Sequence, residues 1–178
     1  KAGVPTLCEF FGRDLAEKLA QEGRRADVII GNNVLAHVSD LNGFIAGVSL
    51  LLKERGCAVF EFPYVGDMID NAEFDTLYHE HPCYYSLHSI MTLFARHGLR
   101  VTDVERLSIH GGSLRVFAEP ESGAPEPSEA VESLAAHESQ RGMTANGFYR
   151  DFAAKVMGLK ESLLAELRRR KSAGQQLA

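Results

Sequence analysis

Apolar and polar positions alternate along this chain in blocks that read as strand, helix, strand, helix, strand, helix. Residues 5–10 form a short strand candidate, followed by Gly12 and a helix that sets Leu15 and Leu19 on one face and stops at Gly23. Val28-Ile29-Ile30 is continuously apolar and closes on Gly31-Asn32-Asn33, as a strand buried on both faces of a parallel sheet does. Ser39 or Asp40 caps a helix whose apolar positions Leu41, Phe44, Ile45, Val48, Leu51 and Leu52 keep the helical period, with Gly56 as its end. Ala58-Val59-Phe60 is the next strand, stopping at Pro63-Tyr64, and a polar connection through Asp67, Asp70 and Asp75 follows. Ser86 caps a helix carrying Leu87, Ile90, Met91 and Phe94, which Gly98 ends.

The remaining pattern changes kind. Val101-Thr102-Asp103-Val104 and Leu114-Arg115-Val116-Phe117-Ala118 are joined across Ile109-His110-Gly111-Gly112-Ser113. That connection is far too short for a parallel crossover, so this pair is antiparallel. Three prolines and Gly123 mark residues 120–127 as a linker. A weak helix over residues 128–140 precedes a stronger one with Phe148, Phe152, Val156, Leu159, Leu163 and Leu167 on one stripe. The expected sheet has three parallel strands near residues 5–10, 27–31 and 57–63 and an antiparallel pair near 100–107 and 113–119. The chain divides into a sheet domain, 1–119, the linker, 120–127, and a helical extension, 128–178.

Composition narrows the class. With 178 residues, 45% hydrophobic and 24% charged, the chain is long enough to bury a core. A net charge of −5 argues against nucleic acid as a partner, and the run Arg168-Arg169-Arg170-Lys171 reads as the solvated C-terminal end of a helix. Three cysteines, Cys8, Cys57 and Cys83, with no signal peptide point to reduced thiols in a cytoplasmic protein without disulfides. No apolar run is long enough to span a membrane, and no lipidation motif is present.

Candidate chemistry concentrates in Tyr78-His79-Glu80-His81-Pro82-Cys83-Tyr84-Tyr85-Ser86, a run too polar for a core and suited to a cavity where protons move at neutral pH. His37 lies just beyond the strand ending at Gly31, on the rim where α/β sheets collect ligands. His79, His81, Cys83, His88 and His110 are possible metal ligands, but His79-Glu80-His81 is not H-E-x-x-H and Pro82 keeps that loop from being a regular helix, so no metal site is expected.

The strand series closed by a hairpin resembles the second half of the class I fold of S-adenosylmethionine-dependent methyltransferases. Asn32-Asn33-Val34-Leu35-Ala36-His37-Val38, Tyr78-His79-Glu80-His81 and His110-Gly111-Gly112-Ser113-Leu114-Arg115 resemble the motifs of sugar C-methyltransferases, enzymes that methylate C3 of nucleotide-linked 4-keto deoxysugars. The resemblance implies S-adenosylmethionine as cofactor and a nucleotide-linked sugar as substrate. It implies His81 as the general base, with His37 a second candidate, Tyr78 as a donor to the enolate oxygen, and Glu80 as a group orienting an imidazole or binding a sugar hydroxyl. Phe11-Gly12 and Asn32-Asn33 follow two strands and could bracket adenine at one sheet edge, although ordinary turn chemistry also accounts for them. His110, Gly111, Gly112, Ser113 and Arg115 are candidates for substrate contact, Arg115 through a phosphate oxygen, while Gly-Gly is also a good hairpin.

Family members carry a zinc-binding N-terminal domain, a glycine-rich loop and a C-terminal Rossmann-like domain. This sequence holds no G-x-G-x-x-G and no cysteine pair at zinc spacing. It is expected to be the middle of such an enzyme, inactive in isolation, with its C-terminal helix self-associating or docking on further domains. Two other classes stay open. A nucleotide-sugar oxidoreductase or epimerase would need Tyr-x-x-x-Lys, yet Met68, Pro82, His88 and Ser89 stand four residues after Tyr64, Tyr78, Tyr84 and Tyr85. A non-catalytic interaction module would suit the missing glycine-rich loop and the long striped helix.

Overall fold

The computed structural model describes residues 3–176. Four strands, β1 (Ala26–Asn32), β2 (Leu52–Pro63), β3 (Leu99–Leu107) and β4 (Ser113–Pro120), form one sheet in the order β1-β2-β4-β3. β1 and β2 are parallel, joined through helix α2 (Leu41–Leu51), and β4 is antiparallel to both β2 and β3. The result is a mixed α/β sheet with a closing antiparallel hairpin and helices after it, as the residue pattern predicts.

Side-chain alternation sorts the sheet into two unlike faces. Ala58, Phe60 and Phe62 of β2, with register partners Ala118, Val116 and Leu114 of β4, are all completely buried. They pack with Ile45 and Val48 of α2 and with Leu87, Ile90 and Phe94 of α4 (Leu87–Ala95) in one continuous core. Phe11, Phe44, Phe60 and Phe94 run through this layer as edge-to-face neighbours, with centroid separations of 5.2, 6.0 and 5.8 Å. On the opposite face Val28 is 55% and Ile30 69% exposed, so β1 is not the doubly buried strand that its apolar run predicts.

Helix α1 (Arg13–Gln21) buries Leu15, Ala16 and Leu19 against α2. Their approach is close: a Cβ on Gly47 would lie 2.8 Å from the Gly12 carbonyl oxygen. Asp40, not Ser39, caps α2, its carboxylate accepting from the Gly43 amide at 2.9 Å. Ser86 caps α4 in a reciprocal box with Ser89. Helix α5 (Glu129–Gln140) packs on β3 and α4, burying Val131, Leu134 and Glu138. Helix α6 (Asn146–Ser172) keeps Met157, Leu159, Leu163, Leu164 and Leu167 exposed.

Three further sequence expectations are corrected. Residues 5–10 are not a strand: they pair with none of the four strands and Phe10 stands fully exposed. A strand is stabilised by its ladder, and propensity alone does not make one. The second helix ends at Leu51 instead of at Gly56, because Leu52 already pairs with Ala26 and residues 53–56 form a wide bulge before Cys57 meets Val28. The polar connection after Tyr64 contains a short helix, α3 (Val65–Asp70), whose Val65, Met68 and Ile69 are buried while Asp67 pairs with Arg106 and Asp70 is exposed.

Candidate active site

Two cavities open where β1 and β2 end, and they share Asn33 and His37 as a common wall. The first, about 560 Å³, is lined by Asn33, Ala36, His37, Pro63, Tyr64, Met68, Glu73, Asp75, Thr76, Tyr78, His81, His110, Gly111 and Gly112. The second, about 700 Å³, lies between residues 9–15, the turn after β1 and Phe44 of α2. Asn33 takes a left-handed conformation, φ 54°, and its amide donates to the Glu61 carbonyl at 2.7 Å, which turns the chain off the sheet into the 3₁₀ turn Leu35–His37.

That turn is bound to the polar loop. His37 Nδ1 lies 2.8 Å from the Glu80 carbonyl oxygen, and because a carbonyl can only accept, Nδ1 carries a proton and donates. The rings of His37 and His81 meet edge to face at 4.7 Å. The Tyr78 hydroxyl lies 3.0 Å from His81 Nε2, while Tyr84 donates to the Thr76 carbonyl at 3.0 Å and Tyr85 to the Leu35 carbonyl at 2.8 Å. Burial, and the neighbouring His37, hold the His81 imidazole below its ordinary value against the opposing pull of the Thr76 carbonyl and Glu80. His81 is therefore neutral at physiological pH and able to accept a proton. Burial pushes the Tyr85 and Tyr64 phenols well up, so both stay protonated.

Tyr78, His81, His37, His110, Gly111 and Gly112 thus come together on one cavity. Phe11, Gly12 and Asn33 line the second, and Asn32 lines neither. Glu80 contributes through its backbone; its carboxylate is turned outward, 3.9 Å from His79. Ser113 is buried, its hydroxyl donating to the Ile109 carbonyl. Arg115 lies on the other sheet face, bound at 2.9 Å to both Glu61 and Glu105, and does not line the cavity. Gly112, at φ 126°, could not be replaced freely: a Cβ there would overlap Asp67.

Sequence reasoning passed over Tyr64, Met68, Glu73, Asp75 and Thr76. Tyr64 was accessible to the rule that picked Asn33, since it too directly follows a strand. The other four lie in the polar connection after Tyr64, where residue type alone assigns none of them a role. Among the described residues no group of three or more His, Cys, Asp or Glu side chains could hold a metal ion, and no helix is long and apolar enough to cross a membrane.

The second cavity fits an adenosyl group. Phe10, Phe11, Val34 and Phe44 give it apolar walls for a flat ring, while Glu9, Asp14, Asp40 and Asn33 give acceptors for an exocyclic amine and for ribose hydroxyls. Sheet, rim and paired cavities define an α/β protein with two adjoining cavities at the ends of its parallel strands. Comparison with known proteins identifies the family: a model described as a methyltransferase domain matches residues 5–104, and one described as a C-methyltransferase C-terminal domain matches residues 108–178. The chain belongs to the methyltransferase family.

C-methyltransferase NovU of Streptomyces niveus is 39% identical over 151 residues, which is 85% of this chain and 36% of NovU. The chain therefore spans about a third of that relative's length. Similar solved structures include an S-adenosylmethionine-dependent methyltransferase from Anabaena variabilis, with TM-score 0.47 and 12% identity over 61% of this chain and 55% of that one. Another is the magnesium protoporphyrin IX methyltransferase of Synechocystis with bound S-adenosylhomocysteine, with TM-score 0.43 and 17% identity over 56% and 47%.

Proposed function

We propose that this chain forms the adenosine-side and proton-transfer part of an S-adenosylmethionine-dependent C-methyltransferase acting on a nucleotide-linked 4-keto sugar, at the carbon next to the ketone. The observation that carries the reading is the Tyr78–His81 hydrogen bond in a cavity that shares the His37 and Asn33 wall with the adenosyl-sized cavity. S-adenosylmethionine supplies an electrophilic methyl group when bound. Phe11, Gly12, Asn33 and Phe44 hold its adenosyl end.

Methylating a carbon beside a ketone begins with loss of its C–H proton. His81 Nε2 takes that proton, the C–H pair moves into the carbon–carbon bond, and the carbonyl oxygen gains the negative charge. The Tyr78 hydroxyl stabilises that oxygen. In the free protein this hydroxyl faces His81 Nε2 at 3.0 Å. A substrate ketone that draws the hydroxyl to itself also frees the lone pair on His81 to accept the proton. His37, fixed by the Glu80 carbonyl, holds the loop against the shared wall. Glu73 and Asp75 offer acceptors for sugar hydroxyls.

Full activity is assigned to this chain joined to a segment carrying the glycine-rich loop, the isolated chain being inactive. The protein is cytoplasmic, and α6 self-associates or docks on further domains through its exposed stripe. A thermal shift series tests the reading. S-adenosylhomocysteine is expected to stabilise the protein and NAD to leave it unchanged; stabilisation by NAD alone would instead favour a nucleotide-sugar oxidoreductase.

A further inference from the structure

Glu138 is the one acidic side chain in the described chain that is both completely buried and remote in sequence from the groups that it binds. It belongs to α5, in the region after the sheet, yet its carboxylate reaches the start of α4. One oxygen accepts from the Leu87 amide at 2.6 Å. The other accepts from the His88 amide at 2.9 Å and lies 2.7 Å from His88 Nδ1. Ser86 Oγ accepts from the next amide, Ser89, at 3.2 Å, so the first-turn donors of α4 are shared between its own cap and a carboxylate some 50 residues away.

The placement matters because of what precedes α4. Only Pro82, Cys83, Tyr84, Tyr85 and Ser86 separate His81 from Leu87. The same loop is fastened at its middle by Tyr85, whose hydroxyl donates to the Leu35 carbonyl and whose carbonyl accepts from Val65. Glu138 also adjoins Tyr64, which lines the first cavity and whose amide binds the Gly112 carbonyl at 3.0 Å. Ser86 Oγ accepts only from the Ser89 amide, so the first-turn amides of Leu87 and His88 take their acceptor from Glu138, and these bonds offset the desolvation of its carboxylate.

We propose that Glu138 is a positioning residue, its carboxylate fastening the entry of α4 so that the loop carrying Tyr78 and His81 keeps the spacing proton transfer requires. α5 is then a part of the active-site framework, contributing without touching substrate. The consequence for rate rests on the methyl-transfer reading above; the consequence for the loop does not. Displacing a catalytic group by about an ångström costs on the order of 10²-fold in rate.

Glu138→Gln keeps the shape but turns an amide N–H₂ toward donors. In the full-length protein carrying this chain it is expected to retain far-UV circular dichroism and S-adenosylhomocysteine affinity within about twofold, since the second cavity touches neither α4 nor α5. Exchange of the sugar C–H proton with deuterated solvent is expected to fall by roughly tenfold to a hundredfold, in kcat more than in KM. The His81 imidazole, followed by NMR, is expected to titrate nearer its ordinary value. Ser139→Ala, which removes only the 3.3 Å contact to His88 Nε2, serves as the control and should change none of these. If Glu138→Gln fails to fold, Glu138→Asp decides, a folded protein with lowered kcat and a moved His81 titration supporting the role. Wild-type kcat and an unmoved His81 titration in either folded variant would overturn it. Should the wild-type protein exchange no sugar proton at all, the methyl-transfer reading fails, and the His81 titration still decides on Glu138.

Discussion

In the proposed reaction His81 is the general base, and its surroundings give it a defined pH signature. Burial and the nearby His37 hold its imidazole below the ordinary 6.5. Only the neutral ring has a lone pair, so proton abstraction should rise with pH and level off, with its half-rise below 6.5. A half-rise above that value, measured by substrate proton exchange, would show that a different group limits the step. His81→Ala should reduce both exchange and methyl transfer by on the order of 10² to 10⁴. His37 makes a separable prediction. Its Nδ1 proton is committed to the Glu80 carbonyl, so His37→Ala should loosen the loop and weaken substrate binding more than it slows exchange. Abolished exchange in His37→Ala with normal exchange in His81→Ala would reverse the two roles.

At the scale of elements, the site depends on short segments held from several directions. The turn after β1 is set by Asn33 and followed by α2, whose start depends on the Asp40 carboxylate. Asp40→Ala should cost about 1 kcal/mol in chemical denaturation, the usual value of a lost side-chain cap. Because Asp40 also lines the adenosyl-sized cavity, the same substitution should weaken S-adenosylhomocysteine binding, whereas a purely structural cap would leave that affinity alone. The loop from Tyr78 to Ser86 has no regular structure over most of its length, and its order comes from hydroxyl and carbonyl contacts of Tyr84, Tyr85 and His37.

At the scale of the molecule, apolar surfaces left open among the described residues include the β1 face with Val28 and Ile30 and the α6 stripe with Leu159 and Leu163. Apolar side chains repeated along a helix are stabilised by burial against a partner. Sedimentation of this chain is expected to show concentration-dependent association through α6, removed by the double substitution Leu159→Glu and Leu163→Glu. A strict monomer whose stripe exchanges amide hydrogens freely would rule that out.

Sequence alone determined those features that local chemistry fixes. Period and caps placed α1, the start of α2, α4 and the final helices; the short Gly111-Gly112 connection fixed the antiparallel sense of β3 and β4; residue type marked Tyr78 and His81, and a place just beyond a strand end marked His37. Tertiary structure decided whatever depends on a neighbour distant in the chain. Residues 5–10 have strand-like composition but no ladder partner, so they stay unpaired. Arg115 has the right chemistry for a phosphate, but pleat alternation turns it to the other face, where Glu61 and Glu105 bind it. Nothing within a few residues of Glu138 records that the amides of Leu87 and His88 bind its carboxylate, so the sequence alone does not single it out. Periodicity reports which way a side chain points relative to its own element, and only packing determines what it meets there.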